Sequence, residues 1–234
     1  MRPQAPPLSG TDIQPRPSNG TVGLTTGYSI VLPPGWRKIP IRHGTKAAIR
    51  NISEQAFARL PRHVSPDQAA PYRIRIEQRL TEMTRNARQA GGVDLYLPTE
   101  PVHGTVVPAS FIVSCGTLPA LRSIDNAQVI SRLIAETEET GRVTIDGIAG
   151  VRSERTTDAD ARNGLLIGTL RVDYILPLPD HPGWWLIITF STPGDGNPHG
   201  EFAKLLAQLF DSIMLTFRWT SDTVRDEQYG NGAE

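Results

Sequence analysis

The stretch from Trp184 to Trp219 constrains the fold more than any other part of this chain. Trp184-Trp185-Leu186-Ile187-Ile188-Thr189-Phe190 is an unbroken apolar run, which predicts a central strand. Ser191-Thr192-Pro193 and a Gly/Asp-rich turn follow it. Beyond them, Phe202, Leu205, Leu206, Leu209, Phe210, Ile213 and Phe217 fall at i, i+3, i+4, i+7, i+8, i+11 and i+15. That is one face of an amphipathic helix, expected to run to Trp219. A buried strand followed by a helix with an apolar face must close a layered domain.

Upstream, Tyr28, Ile30 and Leu32 share one face of a first strand. Pro33-Pro34-Gly35 turns the chain, and Trp36–Ile39 is expected to pair back on that strand. Ile49, Ile52, Ala56, Phe57 and Leu60 predict a helix from Thr45, with Thr45 as N-cap and Pro61 as the stop. Ser65-Pro66-Asp67-Gln68 has the form of a capping box. Pro71 conflicts with an unbroken helix there, so the long helix starts either at Pro66 or at Pro71. Its inner stripe is Tyr72, Ile76, Leu80, Met83, Ala87 and Ala90, and Gly91-Gly92 ends it.

Val93, Leu95 and Leu97 alternate as a strand, and Val106–Cys115 forms another, with Pro108 pointing to an edge or bulge. Asp125 opens a third helix that buries Val129, Ile130, Leu133 and Ile134 and stops at Gly141. Arg142–Val151 is expected as one continuous strand, and Leu166–Leu176 as a long alternating one. The segment 177–183 then makes a hairpin to Trp184. Strand after strand with few helices between them predicts an α+β fold with an antiparallel sheet. Residues 1–24, rich in proline, and 220–234, polar, are expected as disordered tails around a single domain, 25–219.

The search for chemistry returns little. His43, His63, His103, His181 and His199 are scattered over loops and helix ends without metal-ligand spacing. One cysteine, Cys115, excludes an internal disulfide, and on an apolar strand it reads as a small buried hydrophobe. Gly194-Asp195-Gly196-Asn197-Pro198-His199-Gly200 joins a strand to a helix, as a phosphate loop would. Its spacing is wrong, and no further strand follows the helix. A structural role fits it better, with Asn197 capping the helix and Pro198 in its first position. Trp184 and Trp185 should place their rings on opposite sheet faces, in the core. No cofactor and no metal are expected. An enzymatic alternative would assemble its site from scattered residues such as Asp173, Asp180 and His181.

Charge is balanced over the chain but unevenly placed. Residues 33–92 hold twelve Lys/Arg against four Asp/Glu, and residues 93–234 hold ten against nineteen. The bland account is two mutually attracting layers of one domain. The sharper one is a basic face for an acidic partner, with Arg73, Arg75, Arg79, Arg85 and Arg88 of the long helix as the partner-binding set. The same arginines are the best nucleic-acid candidates. Glu77 and Glu82 interrupt them and no aromatic platform accompanies them, so nucleic acid is the weaker reading. There is no apolar run of the roughly 18 residues that a membrane helix needs. Met1–Pro7 lacks the apolar core of a signal peptide, so the expected location is cytoplasmic.

Three segments in order carry a family resemblance. Tyr28-Ser29-Ile30-Val31-Leu32-Pro33-Pro34-Gly35-Trp36 resembles the start of PsbP-like domains. Val143–Val151 is similar to their strand, glycine and small-residue turn, and the closing strand and helix to Phe217-Arg218-Trp219 is similar to their ending. The resemblance implies an antiparallel sheet between helical layers, an α/β/α sandwich. It further implies a role like that of the photosystem-associated, LpqN/DcrB-type and Eag-type secretion-chaperone members, which mostly bind proteins and share no catalytic set. No site residue carries over. The expectation is therefore a non-catalytic adaptor or chaperone that engages another protein, acidic or a secreted substrate, with a link to a secretion system.

Overall fold

The computed structural model describes residues 26–60, 65–102, 104–118, 124–136, 139–160 and 166–221. The expected N-terminal tail and residues 222–234 lie outside the described residues. Along the chain the elements are β1 (Thr26–Ser29), β2 (Trp36–Pro40), α1 (Thr45–Ala58), α2 (Pro66–Gln89), β3 (Gly92–Pro98), β4 (Ser110–Thr117), α3 (Asn126–Glu136), β5 (Thr140–Ile145), β6 (Ile148–Thr157), β7 (Thr169–Pro177), β8 (Trp184–Thr192), α4 (Glu201–Leu215) and β9 (Arg218–Ser221).

Seven strands form one antiparallel sheet in the order β2-β3-β4-β8-β7-β6-β5, and β1 and β9 form a separate two-stranded ribbon. The fold is α+β with helices on both faces of an antiparallel sheet. The apolar run Trp184–Phe190 is its middle strand, and the 177–183 turn makes the expected hairpin from β7. Alternation divides the side chains between two faces. On one face, Phe111, Val113, Val172, Tyr174, Ile188 and Phe190 meet Ala203, Leu206, Phe210 and Ile213 of α4. The ribbon adds Tyr28, whose ring stacks on Phe217 at 5.6 Å. On the opposite face, α3 covers Val151, Ile175, Trp185 and Ile187, while α1 and α2 cover Ile39, Ile41 and Leu95. Trp184 packs toward the α4 side and Trp185 toward α3, as strand alternation requires.

Several local expectations fail for identifiable reasons. β1 does not pair with β2: it pairs with β9, while β2 pairs with β3. Pro33 and Pro34 offer no ladder donors, and the turn closed by Trp36 N–H on Pro33 O, with Gly35 at φ 81°, redirects the chain. The closing helix ends at Leu215 rather than Trp219, and Arg218–Ser221 is strand. Arg142–Val151 is two strands, because Asp146 and Gly147, both at positive φ, make a two-residue turn between Ile145 and Ile148. Gly141 is no helix stop but pairs with Arg152 inside β5. β4 begins at Ser110 and lies between β3 and β8, so Pro108 sits before an inner strand, its carbonyl accepting from Thr192 Oγ1 at 2.8 Å. β7 begins at Thr169, leaving Leu166 80% exposed. A bulge between Gly92 and Asp94 turns Val93 toward the α4 side, so only Leu95 and Leu97 share the α1–α2 face.

The helix caps also differ. Gly44, in the left-handed region, is the N-cap of α1, and Thr45 donates to the carbonyls of Pro40 and Ile41 instead. α2 starts at Pro66. Ser65 and Gln68 complete both halves of the capping box, and this outweighs the single helical hydrogen bond that Pro71 cannot donate. The N-cap of α4 is Gly200 rather than Asn197, which accepts from His199 N–H at 3.1 Å inside the loop. Leu205 is 59% exposed and does not belong to the buried face of α4.

Candidate functional site

Helix length sets up an open surface on α2. The 24 residues of α2 span about 36 Å at ~1.5 Å per residue. The strands beneath, of 5 and 7 residues, reach only about 17 to 23 Å at ~3.3 Å per residue. The C-terminal half of α2 therefore rests on the sheet, burying Leu80, Thr84 and Ala87. The N-terminal half leans on α1 through Arg73, which meets Glu54 at 3.8 Å. Its other flank is open. Tyr72 is 64% exposed and Ile76 39%, against the expectation that both belong to the inner stripe.

Tyr72, Arg75, Ile76 and Arg79 stand at i, i+3, i+4 and i+7, so they line one outward face. All four are exposed. Burying Tyr72 and Ile76 against a partner would contribute about 1.5–3 kcal/mol each at full burial. On the far side of the same helical half, Ile74 is 55% exposed and borders a shallow hollow of about 460 Å³ lined also by Glu77, Gln78, Thr81, Glu82 and Arg85.

The five arginines expected to bind a partner stand in different surroundings. Arg73 is tied to Glu77 at 3.0 Å. Arg88 donates its Nε to the Ile41 carbonyl at 3.0 Å and an Nη to Thr45 Oγ1 at 3.3 Å, pinning the end of α2 to the β2–α1 corner. Arg79 makes only a loose 3.9 Å pair with Glu82 at the surface, a kind of contact worth about 0–1 kcal/mol. Arg75 and Arg85 make no hydrogen bond or ion pair among the described residues, and they stand almost three turns apart along the helix. The set thus separates into two structural residues, Arg73 and Arg88, a pair beside exposed apolar side chains, Arg75 and Arg79, and Arg85 by the hollow. One signal in the sequence marks this face: a 24-residue helix beside short strands must overhang.

Three polar clusters were not foreseen; two join layers and the third ties neighbouring strands of the sheet. Asp94 accepts from the Tyr28 hydroxyl and pairs with Lys38 at 2.9 Å, while the Tyr28 and Tyr96 hydroxyls meet at 3.0 Å. Burial holds the Tyr28 and Tyr96 phenols above their ordinary range. Burial alone would lower Lys38, but its hydrogen bond to Asp94 leaves it raised. This cluster clamps the β1–β9 ribbon to the sheet edge. Arg152 grips Asp211 of α4 through two 2.9 Å hydrogen bonds, and Tyr174 donates to the same carboxylate at 2.8 Å. Asp173 takes Arg171 at 2.9 Å, Arg155 at 3.4 Å and the Thr189 hydroxyl at 2.6 Å.

That last network settles where the scattered enzymatic candidates lie. Asp173 is 3% exposed and saturated on the α3 side of β7. Asp180 and His181 sit in the β7–β8 turn, roughly 15 Å further along the strand. The three do not assemble. His181 Nε2 is a buried atom without a partner, and His199 pairs with exposed Asp158 at 2.8 Å. Cys115 is buried, and burial pushes its thiol up to about 11, so it stays protonated near neutrality. Among the described residues no group of three His, Cys, Asp or Glu is placed to hold a metal ion. Nor is any helix long and apolar enough to cross a membrane. No protein-family model matches the chain, and no curated protein matches it.

Proposed function

We propose that this chain is a non-catalytic protein-binding module, an adaptor or chaperone, that engages an acidic partner through the overhanging half of α2. The observation that carries the reading is the exposed face Tyr72, Arg75, Ile76 and Arg79: two large apolar side chains interleaved with two arginines. Aromatic and arginine side chains of this kind are the usual anchors of interfaces. Spacing of i, i+3, i+4 and i+7 suits a partner helix or groove that reads one helical face. The antiparallel sheet between helical layers agrees with a PsbP-like α/β/α sandwich, and with it a cytoplasmic role beside a secretion system is proposed.

The test is quantitative affinity capture from the source cells, comparing the native chain with the double variant Tyr72→Ala/Ile76→Asp. Circular dichroism checks that both are folded. The reading expects an acidic protein retained by the native chain and reduced at least tenfold with the variant. Equal recovery by both chains refutes it. Binding to DNA or RNA that weakens steeply with salt, and is lost on changing Arg75 and Arg79 to glutamate, would replace the protein partner by a nucleic acid.

A further inference from the structure

β2 is an edge strand of the seven-stranded sheet, and among the described residues no strand pairs with its outer side. Its ladder fixes which backbone groups face outward. Thr99 N–H donates to Gly35 O and Ile41 N–H donates to Val93 O, both at 2.8 Å. The register pairs Arg37 with Leu97 and Ile39 with Leu95. In an antiparallel ladder the bonded pairs alternate, so Gly35, Arg37, Ile39 and Ile41 turn their amides inward. The amide and carbonyl of Lys38 and the carbonyl of Trp36 then face out. Pro40 has no N–H, and its carbonyl is occupied by Thr45 Oγ1, so the open stretch ends there.

Beside this edge, where β2 meets α1, lies a notch of about 400 Å³ lined by Arg37, Lys38, Ala47, Ala48, Ile52 and the amide side chains Asn51 and Gln55. Ala47 and Ala48 leave the floor low enough to receive a side chain. The chain that forms this edge is rich in basic residues. From residue 26 to 53 the chain carries Arg37, Lys38, Arg42, Lys46 and Arg50 and no Asp or Glu. Arg37 and Lys38 have counterions in Glu100 and Asp94. Arg42, Lys46 and Arg50 are exposed and make no hydrogen bond or ion pair among the described residues.

We propose that the β2 edge is a strand-addition site for an extended acidic segment of a partner protein. The segment would pair its backbone with Lys38 and Trp36, drop one apolar side chain into the Ala47/Ala48 notch and set its carboxylates against Arg37, Arg42 and Lys46. A second copy of this chain is the wrong occupant, since pairing two β2 edges would bring Arg37 and Lys38 of each copy together. Lysine and proline on an edge guard against such self-pairing while leaving an acidic strand welcome. The site is independent of the α2 face, so failure of one leaves the other standing.

The probe is a synthetic ten-residue peptide with threonine at every second position and, between them, one central valine flanked by glutamates, so that valine and carboxylates share the face turned to α1; it is tested by fluorescence anisotropy on the full chain. Controls are the same peptide N-methylated at every second residue and the same peptide with lysine in place of each glutamate. Binding of the first should exceed each control at least tenfold, fall at least tenfold with Ala47→Trp, and slow hydrogen exchange of the Lys38 amide at least tenfold. The slowed amide is decisive, because a merely electrostatic contact would leave it unchanged. Equal binding by the N-methylated peptide, no binding at millimolar concentration, or binding without slowed Lys38 exchange would overturn the proposal.

Discussion

Two substitutions on α4 give the sharpest test of how this domain closes. Phe210 and Leu205 both lie on the apolar repeat of the helix, yet Phe210 is 0% exposed and Leu205 59%. The Phe210 ring sits 4.9 Å from Phe190, 5.4 Å from Phe111 and 5.7 Å from Tyr174. Phe210→Ala removes a fully buried aromatic and leaves a cavity between the helix and the middle of the sheet, which costs about 3–5 kcal/mol. Leu205→Ala removes only about 30 Å² of buried apolar area, worth roughly 0.7 kcal/mol, and regains a few tenths from helix propensity. Its net cost is about 0.5 kcal/mol. Equilibrium unfolding in urea, followed by tryptophan fluorescence, reads both. With a slope of about 2 kcal/mol per molar, Phe210→Ala should move the midpoint by about 2 M and Leu205→Ala by about 0.25 M, slopes unchanged. Equal losses within about 0.5 kcal/mol would refute the orientation of α4.

Two further outcomes follow from the turn at β5–β6 and from the buried acidic protons. Gly147→Ala meets no atom within 4 Å but forces an alanine to φ 79°, so it should destabilise by about 1–2 kcal/mol through the backbone alone; Gly147→Asn should cost less, and no loss with alanine in the same urea assay would contradict the two-residue turn. The raised Cys115 thiol contributes stability that is fully present below its ordinary value of 9.0 and is lost as pH rises to about 11, and the buried phenols of Tyr28 and Tyr174 act in the same direction at higher pH. The melting temperature should therefore hold up to about pH 9 and fall steeply above it, with the Cys115→Ala protein losing less between pH 9 and 11; a flat profile to pH 11 would contradict the burial of these groups.

The legible parts of the fold are those where one period dominates. Alternation in Leu170, Val172, Tyr174 and Leu176 and the unbroken run Trp184–Phe190 fixed the two inner strands and their hairpin. The helical repeat found α1, α2, α3 and α4. Boundaries were misread where a two-residue signal competes with a longer pattern. Asp146-Gly147 is a strong turn dipeptide hidden inside an apolar alternation. The start of α2 stood open between Pro66 and Pro71, and the Ser65 capping box decides it because a cap acts at the helix start. The candidate surface was half legible. Charge counting located the basic layer, but the arginines were read as one group. Arg88 turned out to be bonded to a carbonyl of the β2–α1 corner, and Arg73 to glutamates of its own layer.

The sequence alone therefore determined what depends on near neighbours: the element types, the α+β class, the buried middle strand and the basic character of residues 33–92. The tertiary structure decided what depends on distant pairing. Whether β1 meets β2 or β9 turns on residues almost 200 positions apart, and no local period records that choice. The exposure of Tyr72 and Ile76, like that of Leu205, was decided in the same way. An apolar side chain at the right helical spacing is buried only where another layer extends far enough to cover it, and here the sheet beneath α2 is shorter than the helix.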